Sequence, residues 1–529
     1  MPPARPLAAA LALLCCPAAF PSSSLPKART VPSEIFVVPH YSPQTAESVA
    51  FASLQGQLAR QGADSGIYID NAADASGYRV WLSLMERRHG SRLSETRDLP
   101  ALLARFAPRL DGHVLYDASA KGSLDAATSL AASLNAVLIE KSLEPAALAA
   151  GLKRLADASA LTPETLPPAR QAAARKGLVI EIPRELPASM RDYAILGDIR
   201  SFPAENSPAA EKFMARFPAG STAFGWGNTI IGGEDDFVGR DSRLGIPLVP
   251  ADHIRNLSLL SALKNTRPLR QPKTPDLSAE PHKKEHIVTL AFTDGDNPSW
   301  LLHDFATDPR WFGATGRGKL PLGWGLSPAL VELTPAIVGW FYEKAAPSPD
   351  APAGGRFLVG PSGNGYFYPS MMPPGALAEH TRNLAHLMQK ADLRIVQILD
   401  FDSLGNTALW DHYLRHEQVD ALLYCDYAPY DKGKGRVVWS HGKPVISARA
   451  MLWGGIQGCD AASIANLVNS ASRDTTKTDA YSYIIVHAWT MSHADVEKLA
   501  ALFAPDVRLV PPDEFVRLIK RAAPPAASN

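Results

Sequence analysis

Apolar runs of strand length alternate with helical patterns along most of the chain. In the second half these runs carry no polar alternation, as at residues 287–293 and 393–400. Strands of this kind are covered on both faces, as in a parallel sheet between helices. About eight such repeats in roughly 240 residues predict a (β/α) barrel-like domain, and an open doubly wound sheet is the alternative. The strand candidates are 287–293, 321–325, 357–360, 393–400, 421–426, 445–449, 483–487 and 507–510.

The first half of the chain has shorter strand candidates that also alternate with helical patterns, which predicts two or three small α/β modules. A stretch with four prolines at 267–282 separates the two halves, and it is typical of a linker or a rigid crossing. The fold class is therefore α/β throughout. The predicted divisions are a leader at 1–28, modules at 34–105, 106–175 and 176–266, the barrel-like domain at 284–521, and a tail at 522–529.

Composition narrows the class of protein. Hydrophobic residues make up 46% of the chain, which is ordinary for a globular protein, and 53 basic residues balance 53 acidic ones. A chain with zero formal net charge has no overall field that would draw it to nucleic acid or an anionic membrane. We therefore expect no nucleic-acid partner, and the oligomeric state stays open.

The N-terminus has the layout of a secretory signal peptide. Arg5 precedes an apolar run at 7–17, and small, proline and serine residues follow. That run is too short to span a bilayer as a mature helix; an irregular N-terminal helix is the alternative. We expect a secreted or periplasmic protein without membrane insertion, in which Cys425 and Cys459 could form one disulfide.

Polar and aromatic residues collect where the predicted strands of the second half end. Functional groups of a β/α barrel lie at these carboxyl ends. Paired carboxylates there supply the acid and the nucleophile or base that glycosidic cleavage needs, and aromatic faces can pack against sugar rings. The candidate catalytic residues are Asp294, Asp296, Asp400, Asp402 and Asp426. The candidate binding residues are Asn297, Trp324, Asn364, Tyr366, Tyr368, Tyr427, Trp453, His487 and Trp489.

Each of these features also has a purely structural explanation. Residues 294–297 (DGDN) have the composition of a turn. Asp400 and Asp402 have the spacing that places two side chains on one side of an extended segment, but aspartate is also a favoured helix N-cap. Asp513 fits the N-cap role better than a catalytic one, and His487 could simply be packed at the end of a strand.

Sequence motifs for cofactors are absent. No phosphate-binding loop and no Gly-x-Ser-x-Gly elbow occurs. His412 and His416 have the spacing of a helical metal site, but Tyr413 stands where the metalloprotease motif has glutamate. We therefore expect neither a cofactor nor a metal ion.

Residues 363–369 read Gly-Asn-Gly-Tyr-Phe-Tyr-Pro. This segment, called the signature segment below, matches every fixed position of the GxGYxYP motif, and the chain from 285 to 521 resembles the GxGYxYP glycoside hydrolase family. The modules before it resemble the accessory N-terminal domains of that family. The resemblance implies a glycoside hydrolase with Tyr366 and Tyr368 near its site, but it supplies no catalytic pair.

Three hypotheses follow. The first is a glycoside hydrolase with a carbohydrate substrate, in which Asp296 works with Asp400 or Asp426. The second is a metal-dependent carbohydrate deacetylase, in which Asp294 or Asp296 binds the ion together with His487. The third is a carbohydrate-binding protein that keeps the fold without the chemistry.

Overall fold

The computed structural model describes residues 25–39, 45–70, 76–167, 177–205, 207–227, 233–273 and 284–522. Most of the predicted leader and nearly all of the predicted tail lie outside these residues. The described part of the chain is an α/β protein with four sheets, three small and one large. None of its helices is both long and apolar enough to cross a membrane.

The first module is a three-stranded parallel sheet with strand order β2-β1-β3. Helix α1 begins after Thr45, whose hydroxyl accepts the backbone N–H of Ser48, and ends at Gly62 in the left-handed conformation. Both residues are favoured at these helix ends. The elements are β1 (Glu34–Val38), α1 (Ala46–Gln61), β2 (Ser65–Ile69), α2 (Gly77–His89), β3 (Arg92–Glu95) and α3 (Leu99–Phe106).

The second module repeats this plan with strand order β5-β4-β6, and the third has four parallel strands in the order β10-β9-β7-β8. The elements of the second module are β4 (Gly112–Tyr116), α4 (Ser123–Ala131), β5 (Ala136–Glu140), α5 (Glu144–Ala149) and β6 (Arg154–Asp157). Those of the third are β7 (Leu178–Ile182), α6 (Arg191–Gly197), β8 (Arg200–Pro203), α7 (Pro208–Met214), β9 (Thr222–Gly225), α8 (Gly233–Arg243), β10 (Leu248–Pro250) and α9 (Leu257–Leu260).

The C-terminal domain contains one large curled sheet, parallel except for the antiparallel edge strand β16. Its strands are β11 (His286–Phe292), β12 (Leu322–Leu326), β13 (Gly355–Val359), β14 (Ile395–Asp400), β15 (Ala421–Asp426), β16 (Val437–Ser440), β17 (Lys443–Ser447), β18 (Ala450–Leu452), β19 (Tyr481–Val486) and β20 (Val507–Leu509). Its helices are α10 (Pro298–Leu302), α11 (Ala329–Leu333), α12 (Pro335–Ala345), α13 (Pro374–Ala391), α14 (Thr407–Leu414), α15 (Ala461–Asn469), α16 (His493–Ala501) and α17 (Pro512–Ala522).

The curl brings the two ends of this sheet to one short segment. The strand order is β16-β17-β15-β14-β13-β12-β11-β19-β18, with β20 paired to the start of β11. Only Ala448 and Arg449 separate β17 from β18; the N–H of Ala448 donates to Tyr424 of β15, and that of Arg449 donates to Tyr483 of β19. The carboxyl ends of the parallel strands therefore face a common space.

The modules and the C-terminal domain have an apolar core of several clusters, and the second module packs in a cluster separate from the largest. The largest cluster includes Trp81 of the first module, Tyr193 of the third and Trp324 of the C-terminal domain. The indole N–H of Trp81 donates to the carbonyl of Leu302, 2.8 Å away. The N–H of His253 donates to the hydroxyl of Ser299 at 3.0 Å, which places the third module against helix α10, directly after β11.

Residues 25–28 and the start of the proline-rich stretch are packed onto the fold. The carbonyl of Pro26 accepts the hydroxyl of Tyr193 at 3.1 Å, and the N–H of Ala28 donates to Ser261 at 3.1 Å. Residues 267–273, the described part of the proline-rich stretch, reach the C-terminal domain, where the Gln271 side chain both accepts from and donates to the backbone of Phe357. Residues 25–28 thus belong to the folded body, although the predicted leader included them.

Candidate active site

A cavity of about 530 Å³ lies at the carboxyl ends of the strands of the large sheet. Residues after β11, β15 and β19 line it, and the third module contributes Trp226, Glu234 and Pro250. The predicted residues that meet here come from the ends of several different strands. Those that line the cavity are Asp294, Asp296, Asn297, Tyr366, Tyr427, Trp453, His487 and Trp489.

Three glycines let the loop after β11 cross the neighbouring strand ends. A Cβ atom on Gly295 would lie 2.1 Å from the Cα of Gly325, and one on Gly360 would lie 2.2 Å from the backbone nitrogen of Asp296. Neither contact is compatible with a side chain. Asp294 has φ of +63°, a left-handed conformation that aspartate tolerates better than most residues. This backbone directs both aspartates of the loop into the cavity.

The Asp294 carboxylate has two hydrogen-bond donors. The indole N–H of Trp489 donates to Oδ1 at 2.8 Å, and the hydroxyl of Thr293 donates to Oδ2. Burial raises the pKa of Asp294, while these two hydrogen bonds oppose the rise because they favour the charged form. Asp294 is thus the carboxylate of this loop that is equipped to carry negative charge.

The Asp296 carboxyl is in a different environment. It is 6% exposed, and burial together with the nearby charges of Asp294 and Glu234 raises its pKa well above the ordinary value. Among the described residues, the group that opposes this rise is its own backbone N–H. Asp296 is therefore held in the protonated form at a pH where an ordinary aspartate would be ionised.

Glu234 brings a third carboxyl group into the cavity from the third module. Its Oε1 accepts the hydroxyl of Tyr366 at 2.6 Å. Burial raises the pKa of Glu234, and the hydrogen bond from Tyr366 partly offsets the rise. Glu234 was not among the predicted residues because helix α8 lies outside the predicted barrel-like domain and no strand end marks it.

The signature segment fastens the third module to the C-terminal domain. Tyr366 and Leu248 exchange two backbone hydrogen bonds, and the ring of Tyr366 stacks on Trp226 at 6.1 Å with an interplanar angle of 9°. The N–H of Tyr368 donates to the hydroxyl of Ser242 on α8. The segment thereby fixes the wall of the cavity that carries Trp226 and Glu234.

Aromatic rings form much of the remaining wall. The imidazole of His487 lies flat on the indole of Trp453, with ring centroids 3.5 Å apart and planes within 5°. Its Nδ1 is 2.8 Å from the hydroxyl of Thr490, and burial lowers the pKa of His487 to about 4. Trp489 is 47% exposed and presents a ring at the opening of the cavity. The wall combines uncharged ring faces with hydrogen-bonding edges, as sugar rings require.

Three family descriptions match the chain. Residues 284–520 match "GxGYxYP putative glycoside hydrolase C-terminal domain", residues 176–262 match "GxGYxYP third domain", and residues 110–180 match "GxGYxYP_N second domain". The chain belongs to the GxGYxYP family. This confirms the resemblance that the signature segment indicated.

The GxGYxYP chain is also similar to one solved structure. A crystal structure at 1.25 Å of a "putative hydrolase" from Bacteroides thetaiotaomicron VPI-5482 superposes with a TM-score of 0.84 at 27% sequence identity. The match covers 94% of this chain and 97% of the other, so it extends over all the modules. No curated protein matches the chain.

Three of the predicted catalytic carboxylates of this GxGYxYP protein lie outside the cavity. Asp400 is fully buried, and its oxygens accept hydrogen bonds from the backbone and hydroxyl of Ser370 and from the hydroxyl of Ser403. Asp426 accepts the backbone N–H of Asp402 at 2.9 Å, and Asp402 itself points to solvent and pairs with Lys432. These contacts hold the loops together, and neither Asp400 nor Asp426 joins Asp296 in lining the cavity.

Three predicted binding residues also lie elsewhere. Trp324 is 1% exposed and stacks on Phe292 within the core, because its side chain leaves the strand on the core side. The backbone N–H of Asn364 donates to Nε2 of His380 at 3.2 Å, and Asn364 is not among the residues that line the cavity. Tyr368 packs behind Tyr366, with its hydroxyl 3.4 Å from the Tyr366 hydroxyl.

The residues proposed for a metal site do not form one. Across the described ranges, no group of three or more His, Cys, Asp or Glu residues could hold a metal ion. His487, the predicted histidine ligand, uses Nδ1 for Thr490 and packs its ring on Trp453. Cys425 and Cys459 are both free thiols, and Cys425 lies in the cavity wall.

Proposed function

We propose that the protein is a secreted glycoside hydrolase that cleaves a poly- or oligosaccharide by carboxylate acid/base catalysis. The observation that carries this proposal is the contrast between Asp294 and Asp296 in one cavity. Two carboxyl groups whose environments separate their pKa values are the standard basis for assigning an acid and its ionised partner. Membership of the GxGYxYP family and the (β/α) barrel-like arrangement of the strand ends support it.

Asp296 is the general acid in this proposal. Its high pKa keeps a proton available for the oxygen of the departing sugar, and its carboxyl faces the cavity. Asp294 is the ionised partner, serving as nucleophile or as base toward water, because Trp489 and Thr293 stabilise its charge. Tyr427, Trp453 and Trp489 are placed to pack against the sugar rings.

Product release from oligosaccharides tests the proposal. The purified protein is incubated with a panel of plant and microbial oligosaccharides, and shortened products are measured by mass spectrometry. We expect cleavage that is lost in Asp294→Asn and Asp296→Asn and retained in Asp402→Asn. Asp402 is a matched control because it is an aspartate of a nearby strand-end loop that points to solvent.

Two results would overturn the proposal. Cleavage that survives in both cavity variants would place the chemistry elsewhere. Binding of a saccharide without any product would instead support a carbohydrate-binding protein that lacks the chemistry.

A further inference from the structure

The cavity has an unbalanced set of charged side chains. Three carboxyl groups line it, Glu234, Asp294 and Asp296, and no lysine or arginine lines it among the described residues. His487 does not balance them, because its lowered pKa of about 4 keeps the ring neutral at ordinary pH. Among the described residues, no cationic side chain in the cavity wall therefore neutralises the negative charge that these carboxyl groups carry when ionised.

The carboxyl groups influence one another across the domain boundary. Asp294 and Glu234 both raise the pKa of Asp296, and Asp294 also raises the pKa of Glu234. The three groups line the same cavity, whose walls reduce screening by water, so like charges repel strongly there. An acidic group on a bound sugar would add to this repulsion.

Glu234 is held rigidly although it comes from a different domain. Its helix, α8, is anchored by Arg240, which donates two hydrogen bonds to Glu181 of β7 at 2.9 and 3.0 Å and one to Asp241 at 2.7 Å. All three of these side chains are buried. The helix therefore keeps its position on the third-module sheet, and Glu234 at its start keeps its place in the cavity wall.

Tyr366 orients the Glu234 carboxylate from the other side. Its hydroxyl donates to Oε1 at 2.6 Å, while its ring stacks on Trp226 and its backbone pairs with Leu248. The hydroxyl leaves the second carboxylate oxygen, Oε2, for other interactions. A carboxyl group fixed at a cavity wall is the arrangement that recognises a hydroxyl or an ammonium group of a ligand.

We propose that the cavity accepts neutral and amino sugars and rejects acidic ones, and that Glu234, oriented by Tyr366, is the residue of the third domain that sets this selectivity. The proposal rests on the proposed function for its substrate class, a saccharide. It also gives the signature segment a physical role, because Tyr366 joins two domains so that a carboxylate of one completes the binding site of the other.

Binding to a glycan array tests the selectivity separately from catalysis. The full chain carrying Asp296→Asn is applied to immobilised neutral, amino and uronic-acid oligosaccharides; asparagine imitates the protonated aspartic acid and prevents turnover. We expect the bound glycans to be neutral or amino sugars, with uronic acids of the same linkage bound about 100-fold more weakly. Preferential binding of uronic acids would overturn the inference, and binding of no glycan would count against it and the proposed function together.

A second variant identifies the residue responsible. Glu234→Gln removes the charge but keeps an acceptor for Tyr366, and we expect it to narrow the preference for amino over acidic sugars by about tenfold. Asp236→Asn, at an exposed position of the same helix, is the control and should leave the preference unchanged. An unaltered preference in a folded Glu234→Gln protein would refute the role of Glu234. Selective binding without hydrolysis by the wild type would refute the proposed function alone.

Discussion

Replacing Trp489 by phenylalanine isolates one hydrogen bond of the candidate active site. The indole N–H donates to Oδ1 of Asp294 at 2.8 Å, and the ring also packs on Trp300 with centroids 5.2 Å apart. Phenylalanine keeps an aromatic face at this position but has no N–H. The variant therefore leaves Asp294 with the hydroxyl of Thr293 as its remaining side-chain donor among the described residues.

The size of the effect follows from the strength of that hydrogen bond. A hydrogen bond to a charged group contributes about 1.5–3 kcal/mol. Because Trp489 is 47% exposed, water replaces part of the interaction, and we take the lower end of this range. A loss of about 1.4 kcal/mol corresponds to about one pKa unit. The bond favours the ionised form of Asp294, so its removal raises the pKa of Asp294.

The direction of the pH effect is then determined. Asp294 works in the ionised form, and kcat/KM rises as the pH increases through its pKa. A higher pKa moves this acidic limb to higher pH by about one unit, so that kcat/KM measured on the limb falls about tenfold. At a pH above the acidic limb of both the wild type and the variant, Asp294 is fully ionised in each protein. The shift of its pKa then no longer affects kcat/KM.

The assay is kcat/KM as a function of pH with an oligosaccharide that the wild type cleaves. Trp453→Phe is the control, because Trp453 stacks on His487 and donates no described hydrogen bond to Asp294. We expect the limb to move in Trp489→Phe and to stay in place in Trp453→Phe. An acidic limb that is unchanged or moves to lower pH in Trp489→Phe would refute the assignment of Asp294 as the ionised partner.

Further predictions concern stability. Gly360→Ala forces a methyl group against the loop that crosses it, and we expect a loss of about 1–3 kcal/mol in chemical denaturation, with lower activity; unchanged stability would contradict the close packing. Asp400→Ala leaves the buried hydroxyl of Ser403 without its Asp400 acceptor and should cost about 1–3 kcal/mol; a rate reduced at undiminished stability would contradict a structural role. Deleting residues 25–28 should lower the melting temperature, whereas an unaltered melting curve would place them outside the folded body.

Local patterns in the sequence were sufficient to locate the loop of Asp294, Asp296 and Asn297. An apolar strand that ends in several polar residues delivers them to the carboxyl edge of a parallel sheet, whatever the neighbouring strands contain. Trp453, His487 and Trp489, which were also predicted from strand ends, line the cavity as well. The α/β class follows from the same alternation of strand and helix patterns.

The spacing of Asp400 and Asp402 places their side chains on one side only if strand β14 continues through both residues. Alternate residues share a side only while the backbone stays extended. Asp402 has φ of +48°, so the chain turns directly after β14 and the two side chains diverge. Asp400 enters a buried hydrogen-bond network with Ser370 and Ser403, while Asp402 faces solvent.

Glu234 and Trp226 could not be predicted from periodicity. Each belongs to the third module, well before the first strand of the large sheet begins, and contacts between domains leave no local pattern in the sequence. The signature segment was the one available signal. It marked Tyr366, but only the structure shows that Tyr366 joins Glu234 to the cavity.

The dependence of the Asp296→Asn rate on the leaving group tests directly whether Asp296 is the general acid. A general acid contributes about 10²–10⁴-fold to the rate where the departing group needs a proton. The aryl leaving group of an activated glycoside, such as a 2,4-dinitrophenyl sugar, departs without a proton. We predict a loss of about 10²–10⁴-fold in kcat/KM, which reports the step in which the sugar departs, for the natural oligosaccharide and less than about tenfold for the aryl glycoside. An equal loss on both substrates would contradict the assignment of Asp296 as the general acid.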